Sequence, residues 1–190
     1  VVNKFFRLRK EVPVLVKDFE RLISEYEKDL YSFCCYLAAG AASDMAGDLY
    51  QDTVLAAFEM RGRINPDGNP KSLLFSIAVG KWKNARRKAV RRQAIAPQQP
   101  LEEFDYAAAG RENVEADVQA RATQEAVQAA VNSLEDKFRI PLILHYFDDM
   151  GLEAIGGVMG LPKGTVKSRL HKARALMKVL LAKETEGLYG

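Results

Sequence analysis

Between Lys163 and Lys172 the chain sets out Lys163, Thr165, Lys167, Ser168, Arg169, His171 and Lys172, with no acidic residue as far as Lys183. Ammonium, guanidinium, imidazole and hydroxyl groups are donors suited to phosphate oxygens and base edges in a DNA groove. A merely solvated basic helix is the plainer alternative, but such helices usually mix charge signs. A second set of donors, Lys83, Arg87 and Arg91, recurs at intervals of four. On a helix this spacing makes a stripe able to track a phosphate backbone.

Both sets need helices to hold them. Val166, Leu170, Ala173 and Met177 follow one another at four, three and four, which gathers them on one inward face and turns Ser168, His171 and Lys172 outward. Upstream, LEAIGGVM reads as a short apolar helix. Gly160 tolerates the left-handed backbone that ends it, and Pro162 presets the start of the next. Two helices meeting at such a turn form a helix-turn-helix. For the stripe, Leu74, Ala78, Trp82, Ala85 and Ala89 predict the packed face of a helix from Lys71 to about Gln93.

The rest of the first stretch is also helical in pattern. Phe19, Leu22, Ile23, Tyr26, Leu30, Phe33 and Leu37 keep helical spacing up to Gly40, and a second helix is expected from a cap at Ser43 or Asp44 to Met60. RGRINPDGNPKS, with two prolines and two glycines, is a loop. From Ala94 to about Gln124 there is no strong apolar period, and Glu102, Glu103, Asp105, Glu112, Glu115 and Asp117 make the segment acidic. Val127, Val131, Leu134 and Phe138 then begin a new helical pattern that leads into Pro141–Tyr146 and the helix-turn-helix. The expected fold is all-α: two small helical domains, 18–93 and 126–185, joined by a flexible linker over 94–125. A short extension (1–17) and a tail (186–190) flank them.

Composition narrows the function classes. The 190 residues, 48% hydrophobic and 28% charged, are those of a soluble globular chain, and the net charge of +3 hides opposed basic and acidic blocks. The only cysteines, Cys34 and Cys35, are adjacent in a helical pattern, where a bridge would be strained. Buried thiols in a reducing cytoplasm are expected, rather than a disulfide or metal site. No apolar run approaches a membrane span, and the charged start with Pro13 reads as neither signal peptide nor anchor. His145 and His171 lie apart, and there is no glycine-rich phosphate loop or recognised nucleophile motif, so neither an enzyme nor a cofactor is expected.

Three blocks together resemble the bacterial extracytoplasmic-function sigma factors. GLPKGTVKSRLHKAR, preceded by SLEDKFRIPLILHYFDDMGLEAI, is similar to their promoter-binding carboxy-terminal domain. DMAGDLYQDTVLAAF is similar to the polymerase-binding helix, and NPKSLLFSIAVGKWKNARRK to the helix after it. The blocks stand in the family's order and cover about Asp18 to Lys183. Leu73 replaces the usual Trp, Gly80 an Asn, and Ala154 a Glu.

The resemblance implies that the chain joins core RNA polymerase and directs promoter recognition and DNA opening. Asp48, Gln51, Asp52 and Leu55 would face the clamp of the polymerase's largest subunit. Asn65, Asp67 and Asn69 would receive an unstacked base of the minus-ten element, with Lys83, Asn84, Arg87 and Arg91 holding the strands; an ordinary turn uses the same residue types. Lys163, Thr165, Lys167, Ser168, Arg169, His171 and Lys172 would read the minus-thirty-five element. The linker would either thread toward the active-site cleft or act as a plain solvated connection. The resemblance also implies an anti-sigma factor as partner and no stable membrane insertion. The alternatives from the residues are a stand-alone helix-turn-helix regulator that does not join core polymerase, and a polymerase-bound adaptor without sequence-specific DNA binding.

Overall fold

The apolar series that starts at Phe19 becomes α1 (Val16–Ala38), with Phe19, Leu30, Phe33 and Leu37 buried and Leu22, Ile23 and Tyr26 packed beside them. The structure is a computed structural model and describes residues 16–39, 41, 44–65, 68–95 and 118–189. α2 (Met45–Glu59) buries Leu49, Thr53 and Ala57. The buried Thr53 hydroxyl is satisfied within its own helix, donating to the Leu49 carbonyl at 2.7 Å. Asp44 occupies the N-cap position without a side-chain capping bond, and Ser43 lies outside the described residues.

A single 3₁₀ turn (Arg61–Arg63) and the buried Ile64 follow, then α3 (Pro70–Ile95), which starts in what sequence pattern assigns to the loop. Asn69 explains the early start. Its side-chain oxygen accepts the Ser72 N–H at 2.9 Å, the N-cap arrangement, and Pro70 suits the first helical position. Phe75 stacks on Phe33 of α1 with centroids 4.4 Å apart. Each ring, fully buried, contributes about 1.5–3 kcal/mol. The expected packed face of α3 holds at Leu74, Ala78 and Trp82 but not at Ala89, which is exposed because α3 there runs past its neighbours.

The second half is α4 (Val118–Ser133), α5 (Asp136–Tyr146), α6 (Leu152–Met159) and α7 (Lys163–Tyr189). Two boundaries differ from expectation. α4 begins inside the predicted linker, because the alanines of this segment favour helix although it offers few large side chains to a core. The pattern that joined Leu134 to Phe138 is broken between them, and Pro141 is accommodated inside α5.

The helix-turn-helix forms as expected. Gly160 has φ 70°, and the N–H groups of Gly160 and Leu161 both reach the Gly156 carbonyl, closing the end of α6. Gly156 is required for a different reason: a Cβ there would lie 2.7 Å from the Leu161 carbonyl oxygen, whereas one on Gly157 would meet nothing within 4 Å. Gly156→Ala is therefore expected to cost about 1–3 kcal/mol through overpacking against backbone. Gly157→Ala is expected to stabilise by about 0.4–1 kcal/mol. Urea unfolding of the two variants checks the opposite signs.

The two helical halves are present, but they touch. α3 packs against α6 and α1 against α5, and buried residues of both halves form one continuous cluster. Sequence periodicity marks each half's core and carries no signal for a contact between them.

Candidate nucleic-acid and partner interfaces

α7 turns its two faces as its pattern requires. Val166, Leu170 and Ala173 are buried, Met177 is half-buried, and Lys163, Lys167, Ser168, His171 and Lys172 are exposed. Thr165 and Arg169 are half-buried at the edge of the exposed face. The Ser168 hydroxyl donates to the Thr165 carbonyl at 2.9 Å, and Lys163 pairs with Glu153 at 2.7 Å. That pair crosses the turn, and the exposed Glu153 carboxyl is held below its usual range by the Lys163 ammonium. Ala154, half-buried on the same helix, leaves this carboxylate as the acidic group at the start of α6.

On α3, Lys83, Asn84, Arg87 and Arg91 are all exposed. The Arg87 guanidinium donates to the Asn84 side-chain oxygen at 2.7 Å and to the Lys83 carbonyl at 3.3 Å, which fixes its direction along the stripe. Partial desolvation pushes the Lys83 ammonium down, and the charge of Arg169, with that of Arg87, pushes the same way against Asp136. The charges of Lys83 on α3 and Arg169 on α7 thus oppose each other. Gly80 is exposed with open space around it, and Leu73 is buried in the core.

The loop residues fare unevenly. Asn69 spends its side-chain oxygen on the α3 cap, leaving its amide N–H₂ for other contacts. Asn65 is half-buried, and Asp67 lies outside the described residues.

α2 presents Asp48, Gln51, Asp52 and Leu55 at i, i+3, i+4 and i+7, all exposed and opposite the buried Leu49, Thr53 and Ala57. Leu55 is 56% exposed, a large apolar side chain set in a polar stripe. Asp52 also borders a groove lined by Lys81, Asn84, Arg87 and Lys88 of α3.

Sequence reading missed a partly buried ionic cluster. Asp136 accepts from Trp82 Nε1 at 2.9 Å, Arg86 at 2.9 Å and Arg139 at 2.8 Å. Arg139, 3% exposed, also donates to the carbonyls of Leu37 (2.9 Å) and Ala39 (3.4 Å) at the end of α1. Burial alone would raise the Asp136 carboxyl, but Arg86, Arg139 and Trp82 outweigh it and hold it below its usual range. The signal available beforehand was a Trp at a packed position, whose N–H needs an acceptor when buried.

Cys34 is fully buried and its thiol is pushed up to about 12, first by burial and then by Cys35. It is a core thiol rather than a reactive one. No helix among the described residues is long and apolar enough to cross a membrane.

Residues 22–92 match the family model for sigma-70 region 2, and residues 124–177 that for sigma-70 region 4. The chain is 27% identical over 169 residues to the ECF RNA polymerase sigma factor SigE of Mycolicibacterium smegmatis, an alignment covering 88% of this chain and 63% of that protein. It therefore spans less than two thirds of that relative's length. Among solved structures, the sigma factor RpoE in complex with the anti-sigma factor NepR from Bartonella quintana is similar at a TM-score of 0.71. Its identity is 27%, with 88% of this chain and 98% of that one covered. CnrH, solved with the cytosolic domain of CnrY, shares the fold at a TM-score of 0.61 and 21% identity, covering 88% of this chain and 89% of that one.

Proposed function

The chain belongs to the extracytoplasmic-function group of RNA polymerase sigma factors, and from that premise we propose that it joins core polymerase in the cytoplasm and directs promoter-specific initiation. It is an initiation factor without catalysis of its own. Residues 18–93 bind the polymerase clamp and the minus-ten element, residues 126–185 bind the minus-thirty-five element, and 94–125 connects them. An anti-sigma factor holds the chain inactive, as the pairing of the similar RpoE with NepR suggests.

The observation that carries this reading is the outward α2 stripe of Asp48, Gln51, Asp52 and Leu55. A stand-alone helix-turn-helix regulator has no use for such a stripe. A polymerase partner explains both its carboxylates and its exposed leucine, because protein interfaces set an apolar anchor within polar contacts.

Division of labour is the test. Lys172 is exposed, so Lys172→Ala removes a charge without opening the core. Its binding to a minus-thirty-five duplex should show a log–log salt slope shallower by about 0.9, the loss of one phosphate contact. Affinity for core polymerase should be unchanged. An unchanged slope would remove Lys172 from the interface, and failure of the parent chain to bind core without promoter would favour the stand-alone regulator.

A further inference from the structure

Glycine in a helix interior weakens the helix relative to alanine, so its presence there asks for a reason. Gly160 has one in its left-handed turn, and Gly156 in the backbone packed against it. Gly80 has neither. It lies inside α3 with helical backbone, is exposed, and a Cβ on it would meet nothing within 4 Å. Gly80, Asn84, Arg87 and Arg91 follow one another at four, three and four, which sets the glycine at the head of the exposed stripe. One turn before it stand Ser76 and Ile77, both half-buried, and one turn after it Lys83 and Asn84, both exposed. Nothing beneath the helix requires the missing side chain, so the requirement comes from what meets this face.

We propose that Gly80 is the floor of a slot for one unpaired nucleotide of promoter DNA, whose base or sugar rests directly on the α3 backbone. The proposal rests on the sigma-factor reading and names a contact within it. A glycine is the residue that lets a ligand approach backbone closely. The groups in line with the slot are neutral: Ser76 and Ile77 on one side, Asn84 on the other. Lys81 and Lys83 stand to its flanks, and Arg87 and Arg91 lie further along the helix. A base or sugar suits the first set and the strand's phosphates the second. The Asn84 oxygen is fixed on the Arg87 guanidinium, which can only donate, so the Asn84 N–H₂ remains as a donor for an acceptor on the base edge. The Ser76 hydroxyl donates to the Leu73 carbonyl at 2.8 Å, and its oxygen remains to accept. Paired DNA would turn phosphates and not rings toward such a surface, and phosphates have no use for bare backbone between neutral groups. A methyl group at this position would hold the nucleotide off by about 1.5 Å, the length of a C–C bond. A longer side chain would fill the slot.

The test uses the full chain assembled with core polymerase. From a random pool of single-stranded DNA, the strand held most tightly by the parent assembly and not by core alone is selected, and its dissociation constant is measured for Gly80→Ala and Gly80→Leu. Binding should weaken at least about fivefold for alanine and about a hundredfold for leucine, the range of one lost base contact. The log–log salt slope should match the parent's, because no phosphate contact is removed. Affinity for core should be unchanged, and the urea midpoint should stay at or above the parent's, because both residues favour helix over glycine. If G80L is less stable than the parent, Gly80→Gln, of similar length, decides in its place. Variants that hold the strand as the parent does overturn the proposal. So does a loss that is equal for the small and the large side chain, which would place the effect in backbone flexibility, or a shallower salt slope, which would make the contact one to phosphate. A parent assembly that selects no strand beyond those core binds alone would instead overturn the sigma-factor reading, and the slot with it.

Discussion

Replacing Arg139 with methionine is expected to lower the unfolding free energy by about 3 kcal/mol, within the cost of breaking a buried ion pair by removing one partner. Methionine fills similar length and is at home in a core, so the loss comes from hydrogen bonds rather than from a void. Arg139 is 3% exposed and donates to Asp136, to the Leu37 carbonyl and to the Ala39 carbonyl. The Leu37 carbonyl is in the last turn of α1 and the Ala39 carbonyl just past it, where no residue of α1 itself can satisfy them. Asp136 would keep Arg86 and Trp82, which is why the expected loss sits at the lower end of the range. Burial pushes the Arg139 guanidinium down and Asp136 pulls it back up, the balance of a charge kept in place by its partner. Urea denaturation checks this, with an unchanged m-value showing that the same surface is exposed on unfolding. A loss below about 1 kcal/mol, the scale of an ordinary hydrogen bond, would mean that the cluster is held by packing alone.

Asp52→Lys is expected to weaken binding to core polymerase at least a hundredfold while leaving affinity for a minus-thirty-five duplex within about twofold. Like charges set against each other in an interface cost several kcal/mol, and 2.8 kcal/mol is about a hundredfold. Asp52 is exposed on α2, one turn from Asp48 and beside Leu55, so the reversal acts at the surface and not in the core. It also brings a cation toward Lys81, Arg87 and Lys88 across the groove that Asp52 borders. Thermal unfolding of the variant separates that local repulsion from a true interface effect: core binding should fall far more than stability. Equal loss of core and duplex binding would instead point to an unfolded variant and remove Asp52 from the polymerase surface.

The helices and the helix-turn-helix were legible because their information is local. Val166, Leu170 and Ala173 announce their buried face by spacing, and Gly160 announces its turn as the residue type that tolerates left-handed backbone, which it adopts at φ 70°. Asp48, Gln51, Asp52 and Leu55 were placed by resemblance, and periodicity agrees that they share an exposed face. What was not legible is non-local. Nothing in the spacing of Asp136 and Arg139 tells of Trp82, which is 54 residues from Asp136. The Asn69 oxygen caps α3, a use that residue type alone does not separate from the base contact the resemblance implies, since Asn serves both. The start of α4 was hidden for the opposite reason: alanine-rich sequence makes helix without displaying an apolar period.

As a sigma factor, this chain is proposed to supply promoter specificity to RNA polymerase. Run-off transcription by purified core polymerase, with and without the full chain, over a library of promoter sequences tests it most directly. The expected result is transcripts that require the chain and whose templates share two spaced upstream elements. Stable binding to core with no chain-dependent transcript from any member of the library would contradict it.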